Sequence, residues 1–346
     1  MAAEHTPSAA SRAAAEKTVD EMLQGAWKAR AIHVAVELGL PELLAGGPRT
    51  AAELADETGA HAPSLRRLLR LLASTGVFTD LRRDDLFGQS ELSEVLRFDP
   101  ASPVATDARF QAAHWHWRAW ERLGHSIRTG RDAFEHANGV SFWTKTHDDP
   151  EARELFAAAM DAVSLVESTL VPEVHDFSAS RTVVDIGGGR GSLVAAILER
   201  HEHVRGVILE RPNTLEQARR LLTERGVVDR CDLVPGDFFD TIPEGADTYV
   251  IKHVLHDWGD DDVVRVLHRV AARMGEQSRL LVIDNLLDED ATASSLCVDM
   301  LLLVLVGGVE RSEAEMTALA EKAGLRQHHS VAVGPGPQRI VEYRRA

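Results

Sequence analysis

"VVDIGGGRGS", Val183 to Ser192, is the stretch on which the fold reading turns. An apolar run carrying one acid, Asp185, stops at three glycines spaced Gly187-x-Gly189-x-Gly191. Glycines here permit a tight turn and let a ligand approach the backbone. A helix opening after them offers free backbone N–H groups. A dinucleotide fingerprint wants a third glycine one place later, where this chain has Ser192. Downstream, β-rich runs alternate with helical ones: "GSLVAAILERH", "VRGVILE", "TLEQARRLLTERG", "CDLVPGDFF", "DTYVIKHVL", "DDVVRVLHRVAARM", "SRLLVIDNLL". That alternation predicts a doubly wound, Rossmann-like α/β domain with a largely parallel sheet. Its ligand is expected at the C-terminal ends of the strands, near the switch point.

Acids at those strand ends point to the ligand. Asp185 beside the glycines repels a pyrophosphate and suits a positively charged ammonium, directly or through water. Glu210 closes "GVILERP", where an acid accepts two hydrogen bonds from a ribose diol; NAD sites share that feature, so alone it does not discriminate. Asp237 and Phe238 close the next strand in "VPGDFFDTIP", an acid and an aromatic suited to an adenine. Together they describe S-adenosylmethionine (SAM) better than NAD.

The chain has 346 residues, room for two domains. Its net charge of -16 argues against a general nucleic-acid binder. Two cysteines, Cys231 and Cys297, form no disulfide framework, and the N-terminus has no secretory pattern, so a cytoplasmic setting is expected. The longest apolar run, Met300 to Val306, is too short to span a bilayer, and no membrane partner is expected. Residues 1–12 are expected to be mobile.

Residues 1–108 read as a mainly helical, winged-helix-like domain. "AIHVAVELGL" is helical and is punctuated by Pro41. Thr50 and Glu53 form a capping box, with Gly59 at the helix end. Ser64 is the expected cap of the next helix. Leu65, Leu68, Leu69, Leu71 and Leu72 are its apolar face, and Gly76 stops it. "VFTDLRRDDLFGQS" reads as two short strands around a charged turn. Arg66, Arg67 and Arg70 raise a DNA-binding reading, but nearby acids balance them and the electrostatic footprint is weak.

The second domain is read as 109–346, beginning with connecting helices. Four of the six tryptophans (Trp115, Trp117, Trp120, Trp143) fall in that connection. Most read as core packing. Phe110, Trp143 and Met160 are candidates for the wall of a pocket holding a flat ring, with Met300 and Leu303 as further lining.

"KHVLHDWGDDD", Lys252 to Asp262, follows another apolar run. His253, His256 and Asp257 have the look of a metal site. Mg²⁺ prefers oxygen ligands, zinc wants a further ligand, and sulfonium chemistry needs no Lewis acid, so no metal is expected. Asp260, Asp261 and Asp262 suit a helix N-terminus.

"DIGGGRG", "LERP", "GDFF", "KHVLHDW" and "GGVERSEAEM" resemble the motifs of SAM-dependent O-methyltransferases of the plant caffeate and bacterial hydroxyneurosporene type. The resemblance covers nearly the whole chain and is greatest to bacterial members that tailor quinone antibiotics. It implies that the winged-helix half is a dimerisation domain and the protein a homodimer. It implies SAM as cofactor, S-adenosylhomocysteine as product, and an aromatic or quinonoid hydroxyl as acceptor. It implies Gly187, Glu210, Asp237, Phe238 and Lys252 as cofactor contacts, beside Asp185, and Arg153 reaching the cofactor carboxylate. His256 matches the general base, with Asp284 and Glu310 holding it. The family pattern has Glu where this chain has Asp284. His253 is expected to be structural. Two other classes fit the same front and back halves: a non-methylating relative of the fold, and a SAM-sensing DNA-binding regulator. A dehydrogenase fits less well.

Overall fold

The computed structural model describes residues 9–81, 85–99, 102–287 and 291–346. The chain divides into two compact units, Met1–His114 and Trp115–Ala346.

The first unit opens with a long helix, α1 (Ala9–Glu37), followed by α2 (Leu40–Leu44), β1 (Arg49–Thr50), α3 (Ala51–Thr58) and α4 (Ala62–Ser74). Then come β2 (Thr79–Asp80), β3 (Leu86–Gly88), α5 (Glu91–Glu94) and α6 (Pro103–Ala112). Residues 1–8 of the segment expected to be mobile lie outside the described residues, while 9–12 are already helical. Thr50 and Glu53 do form a capping box: Thr50 Oγ1 accepts from the Glu53 N–H at 3.1 Å, and the Thr50 N–H donates to Glu53 Oε2 at 2.7 Å. Ser64 is not the cap of α4. The helix starts two residues earlier, after His61, because Pro63 sits comfortably in a first turn that needs no N–H. Ser64 Oγ instead meets His61 Nδ1 at 3.0 Å. Only Leu65, Leu69 and Leu72 of the expected apolar face are buried, and Leu71 is exposed. The wing gains a strand that the sequence reading missed, since β3 pairs with both β1 and β2. The tip of the wing, 82–84, lies outside the described residues. Val19, Met22, Leu23 and Trp27 form an exposed apolar row on α1, Trp27 being 70% exposed.

The second unit begins with short helices: α7 (His114–Trp120, its first residue still in the first unit), α8 (Leu123–Thr129), α9 (Ala133–Asn138) and α10 (Phe142–Asp148). They lead into α11 (Pro150–Val174). The alternating part follows as β4 (Thr182–Ile186), α12 (Ser192–Arg200), β5 (Arg205–Glu210), α13 (Pro212–Glu224), β6 (Cys231–Pro235), β7 (Thr248–Lys252) and α14 (Asp260–Arg273). It ends with β8 (Arg279–Asn285), α15 (Ala293–Leu305), α16 (Glu313–Lys322), β9 (Leu325–Ala332) and β10 (Gln338–Arg345). The described strands form one sheet in the order β6-β5-β4-β7-β8-β10-β9. Neighbours are parallel from β6 to β8, and β10 runs antiparallel to both β8 and β9. The order reverses between β4 and β7, so the crevice expected to bind a ligand opens there.

Side chains along the central strands alternate between two buried faces, as a covered parallel sheet requires. Val184, Ile186, Tyr249, Ile251, Leu280 and Val282 pack with α14 and α16, while Val183, Ile208, Val250, Leu281 and Ile283 pack with α12 and α13. Cys231 belongs to the second layer, and burial pushes its thiol up to about 12. A thiol reagent should therefore modify exposed Cys297 alone in the native protein and both cysteines after unfolding; counting labels by mass tests this.

Helix α11 is long and apolar enough to cross a membrane by length and composition only, although polar residues interrupt its apolar stretch. Three of its polar residues are engaged by other elements of this unit. Asp161 binds Arg190, while Ser164 and Glu167 bind Lys252.

Candidate active site

The glycine loop begins where β4 ends. Gly187, Gly189 and Gly191 all have positive φ, at 71°, 56° and 82°. Two of them also lack room for a side chain. A Cβ at Gly187 would lie 2.8 Å from Val254, and one at Gly191 would lie 2.7 Å from Ile208. At Gly189 nothing lies within 4 Å, so its surface stays open to a ligand. Asp185 is buried directly beneath Gly188, whose Cβ would fall 2.7 Å from its Oδ2. Burial pushes this carboxyl up to about 7, although the charge of Lys252 pulls the other way.

The neighbouring strand ends complete a row. Glu210, ending β5, accepts from the Gly189 N–H at 3.3 Å and from the Arg211 N–H at 2.7 Å. Asp237, just past β6, accepts from the Phe239 N–H at 2.8 Å. Phe238 rests tilted on Phe239 and meets the edge of Trp258. Lys252 ends β7 and donates to Ser164 Oγ at 2.9 Å and Glu167 Oε2 at 3.2 Å. Four adjacent parallel strands thus bring these residues to one edge of the sheet. Arg153 is turned elsewhere: its Nη2 donates to the carbonyl of His147. The arginine beside the glycine loop is Arg190, which the sequence reading passed over. It holds Asp161 at 2.5 Å, Gln217 at 2.9 Å and Glu154 at 3.3 Å.

The base candidate follows β7. His256 lies in a 3-10 turn, Leu255–Asp257. Its Nδ1 is 3.3 Å from Glu310 Oε1 and 3.7 Å from Asp284 Oδ1, and its Nε2 is 3.7 Å from Asp257 Oδ1. Glu310 is within hydrogen-bond reach and Asp284 is not. Glu310 is fixed in turn, its N–H donating to Asp299 Oδ1 at 2.9 Å and its Oε1 accepting from Asn285 at 3.2 Å. The turn carrying it lies against the base: the Val309 N–H donates to the His256 carbonyl at 2.8 Å. Arg311 is a second residue that the sequence reading missed. Buried, it donates to the carbonyls of Leu255 and Trp258 and to Asp260, clamping the loop around His256. Asp260, Asp261 and Asp262 do form the first turn of α14.

Burial opposes a charge on His256, but Asp284, Asp257 and Glu310 outweigh it and push the imidazole up to about 10. Burial also pushes Asp257 up to about 7. For a histidine raised on folding, the stabilisation is complete below its unfolded value and is lost as pH rises through the folded one. Stability from this contact should therefore be full below about pH 6.5 and decline toward pH 10; urea midpoints across that range test it.

His253, His256 and Asp284 bring ligand-type atoms within 4.8 Å of one another. The two rings, however, are nearly parallel, 23° apart, with centroids 5.3 Å apart. His253 is no bland core residue: its Nε2 lies 2.8 Å from Glu167 Oε2 and its Nδ1 3.4 Å from Asp284 Oδ1.

Around this centre, Trp143 of α10 stacks on Trp258, with centroids 6.3 Å and planes 12° apart, and meets Phe156 edge-on. Met160 on α11 is 40% exposed, and Met300 and Leu303 are half-buried on one face of α15. Phe110 belongs to the other unit, where it lies buried in α6.

A family model described as an O-methyltransferase domain matches residues 120–326, and one described as an O-methyltransferase dimerisation domain matches 20–97. The mitomycin biosynthesis 6-O-methyltransferase of Streptomyces lavendulae is 66% identical, over 98% of this chain and 97% of its own length. The structure of the mitomycin 7-O-methyltransferase MmcR superposes with a TM-score of 0.97 at 66% identity, covering 98% of this chain and 100% of that one. The neocarzinostatin O-methyltransferase NcsB1, solved with SAM and 2-hydroxy-5-methyl naphthoic acid, superposes with a TM-score of 0.82 at 35% identity, covering 92% and 96%.

Proposed function

Because this chain belongs to the O-methyltransferase family that joins a dimerisation domain to a SAM-dependent methyltransferase domain, we propose that its acceptor is a mitomycin-type hydroxyl on a quinonoid ring. It is a SAM-dependent O-methyltransferase. The observation that carries the acceptor reading is 66% identity across 98% of the chain to a mitomycin O-methyltransferase. The position of the hydroxyl is not inherited with it, since the curated mitomycin relative and the matching solved structure are named for different positions, 6-O and 7-O.

The row of strand ends suits the cofactor. Glu210 has carboxylate oxygens for a ribose diol, Phe238 and Asp237 face an adenine, and the open glycine backbone admits the methionine portion, with Asp185 and Lys252 beneath it. We assign these roles, and that of Gly187, on position and chemistry. Arg153 is the weakest of the set, given its bond to His147. Hydrogen bonds to a charged group contribute about 1.5–3 kcal/mol. Glu210→Ala should therefore weaken S-adenosylhomocysteine binding by roughly 10–100-fold by calorimetry; unchanged affinity would remove Glu210 from the cofactor site.

When bound, SAM supplies an electrophilic methyl on a positively charged sulfonium, and that charge disfavours a second cation beside it. His256 presents Nδ1 to Glu310 and keeps Nε2 for the acceptor oxygen. With an unionised hydroxyl, neutral His256 takes the proton at Nε2. With an acceptor that arrives as an anion, His256 already holds its proton and pairs with the oxygen. The raised imidazole favours the second case in the unloaded enzyme, and the sulfonium charge beside it favours the first, in which His256 is the base. A hydroxyl conjugated to a quinone carbonyl is a vinylogous acid and ionises more readily than a phenol, whose pKa is about 10. Glu310 and Asp284 are positioning residues in this scheme, and no Lewis acid is needed.

Trp143, Met160, Met300 and Leu303 are the proposed wall for the flat acceptor, while Phe110 belongs to the other unit. The exposed row on α1 supports a homodimer, with a second copy covering Val19, Met22, Leu23 and Trp27. Arg66 is already paired with Asp85, which weighs against a DNA-binding role, and the two free cysteines suit a cytoplasmic setting. The test is S-adenosylhomocysteine formation with SAM and a mitomycin-type hydroxyquinone, with the methyl ether identified by mass. Turnover of simple phenols but none of the hydroxyquinone would overturn the acceptor reading.

A further inference from the structure

His253 is a largely enclosed group, its side chain 15% exposed, with no role yet in methyl transfer. Its φ of +52° makes it one of two non-glycine residues with positive φ among those described. An L side chain is held there only when its surroundings over-determine it. Here the backbone N–H is fixed to the Ile283 carbonyl at 3.0 Å. On the outer edge of the ring, Nε2 meets Glu167 of α11 at 2.8 Å and Gln338 of β10 at 3.0 Å. The inner edge, Nδ1, faces Asp284 at 3.4 Å.

Asp284 explains why. It is 1% exposed, and neither carboxylate oxygen has a hydrogen-bond partner among the described residues. A buried carboxylate stays charged only beside compensating groups. It is one methylene shorter than the glutamate of the family pattern, and its Oδ1 stops 3.7 Å from His256 Nδ1. The nearer imidazole is that of His253.

We propose that His253 is a positioning residue for methyl transfer: gripped by Glu167 on one edge, it turns Nδ1 toward Asp284, and the two residues together hold that carboxyl group beside the inner edge of His256. This inference rests on His256 being the base. It makes the short acid and the second histidine one device, in which His253 supplies the contact that a longer acid would make with His256 directly.

The experiment compares His253→Ala, His253→Asn, His253→Gln, Asp284→Glu and the double variant His253→Ala/Asp284→Glu. It reads kcat by S-adenosylhomocysteine formation, S-adenosylhomocysteine affinity and thermal stability. Asparagine puts an N–H near the place of Nδ1, and glutamine near that of Nε2. The expected result is a kcat loss of about tenfold or more for Ala and Gln, the scale of one lost polar contact in the site, with affinity nearly unchanged. Asparagine should restore most of the rate. Asp284→Glu should rescue His253→Ala, because the longer acid reaches His256 unaided. Equal rates for Asn and Gln, or additive losses in the double variant, overturn the proposal. So does a loss of cofactor affinity with kcat unchanged, which would assign His253 to Lys252. If the alanine variant fails to fold, the Asn and Gln pair decides alone. His256→Asn run alongside separates the two readings. Full activity there removes the base itself, whereas an inactive His256→Asn beside a fully active His253→Ala removes only this inference.

Discussion

His256→Asn is expected to lower kcat by about 10²–10⁴-fold, the usual contribution of a positioned acid or base. S-adenosylhomocysteine should still bind, because the ring's contacts run to Glu310, Asp284 and Asp257, not to the row of strand ends. Single-turnover rates and calorimetry on one preparation separate the two effects. The loss should be deepest for an acceptor that must give up a proton. It should be shallower for one already ionised, where the imidazole serves as a counter-charge and an orienter. Turnover at the wild-type level would sink the assignment.

Gly308→Ala should be nearly as damaging, through the backbone. A Cβ at Gly308 would sit 2.2 Å from the His256 carbonyl oxygen and 3.0 Å from the Asp257 Cα. Both are backbone atoms, so no side chain can swing aside. Overpacking of this kind costs about 1–3 kcal/mol, sometimes more. The turn can relieve it only by withdrawing, which takes Glu310 away from His256 Nδ1. A lower urea midpoint together with a steep loss of kcat is the expected result. A variant with native stability and native turnover would mean that the turn does not place Glu310.

Much of the candidate site was readable because strand ends mark it. Gly187, Glu210, Asp237, Lys252 and His256 each follow an apolar run, and parallel strands deliver such positions to one edge. What escaped had long-range causes. The partner of His253 is Glu167, on a helix that precedes the whole sheet, and no local pattern links the two. Arg311 stands beside Glu310 and looks like an ordinary surface cation until the loop from Leu255 to Asp260 closes over it. Arg190 sits inside the glycine motif, where the glycines draw the eye. The start of α4 was misplaced because a serine and a proline compete to mark a helix start, and the proline tolerated an earlier one. The antiparallel β10 and β9 were not read because the alternation of strand and helix ends before them.

The stacked indoles of Trp143 and Trp258 give the protein an optical property of its own. One ring belongs to α10 and the other to the loop that carries the base. A molecule settling between or beside them alters their overlap, and with it the colour and yield of the protein's ultraviolet emission. If Trp143 lines the acceptor site as proposed, loading should be visible by light in the unlabelled enzyme, on the timescale of binding and before any methyl group has moved.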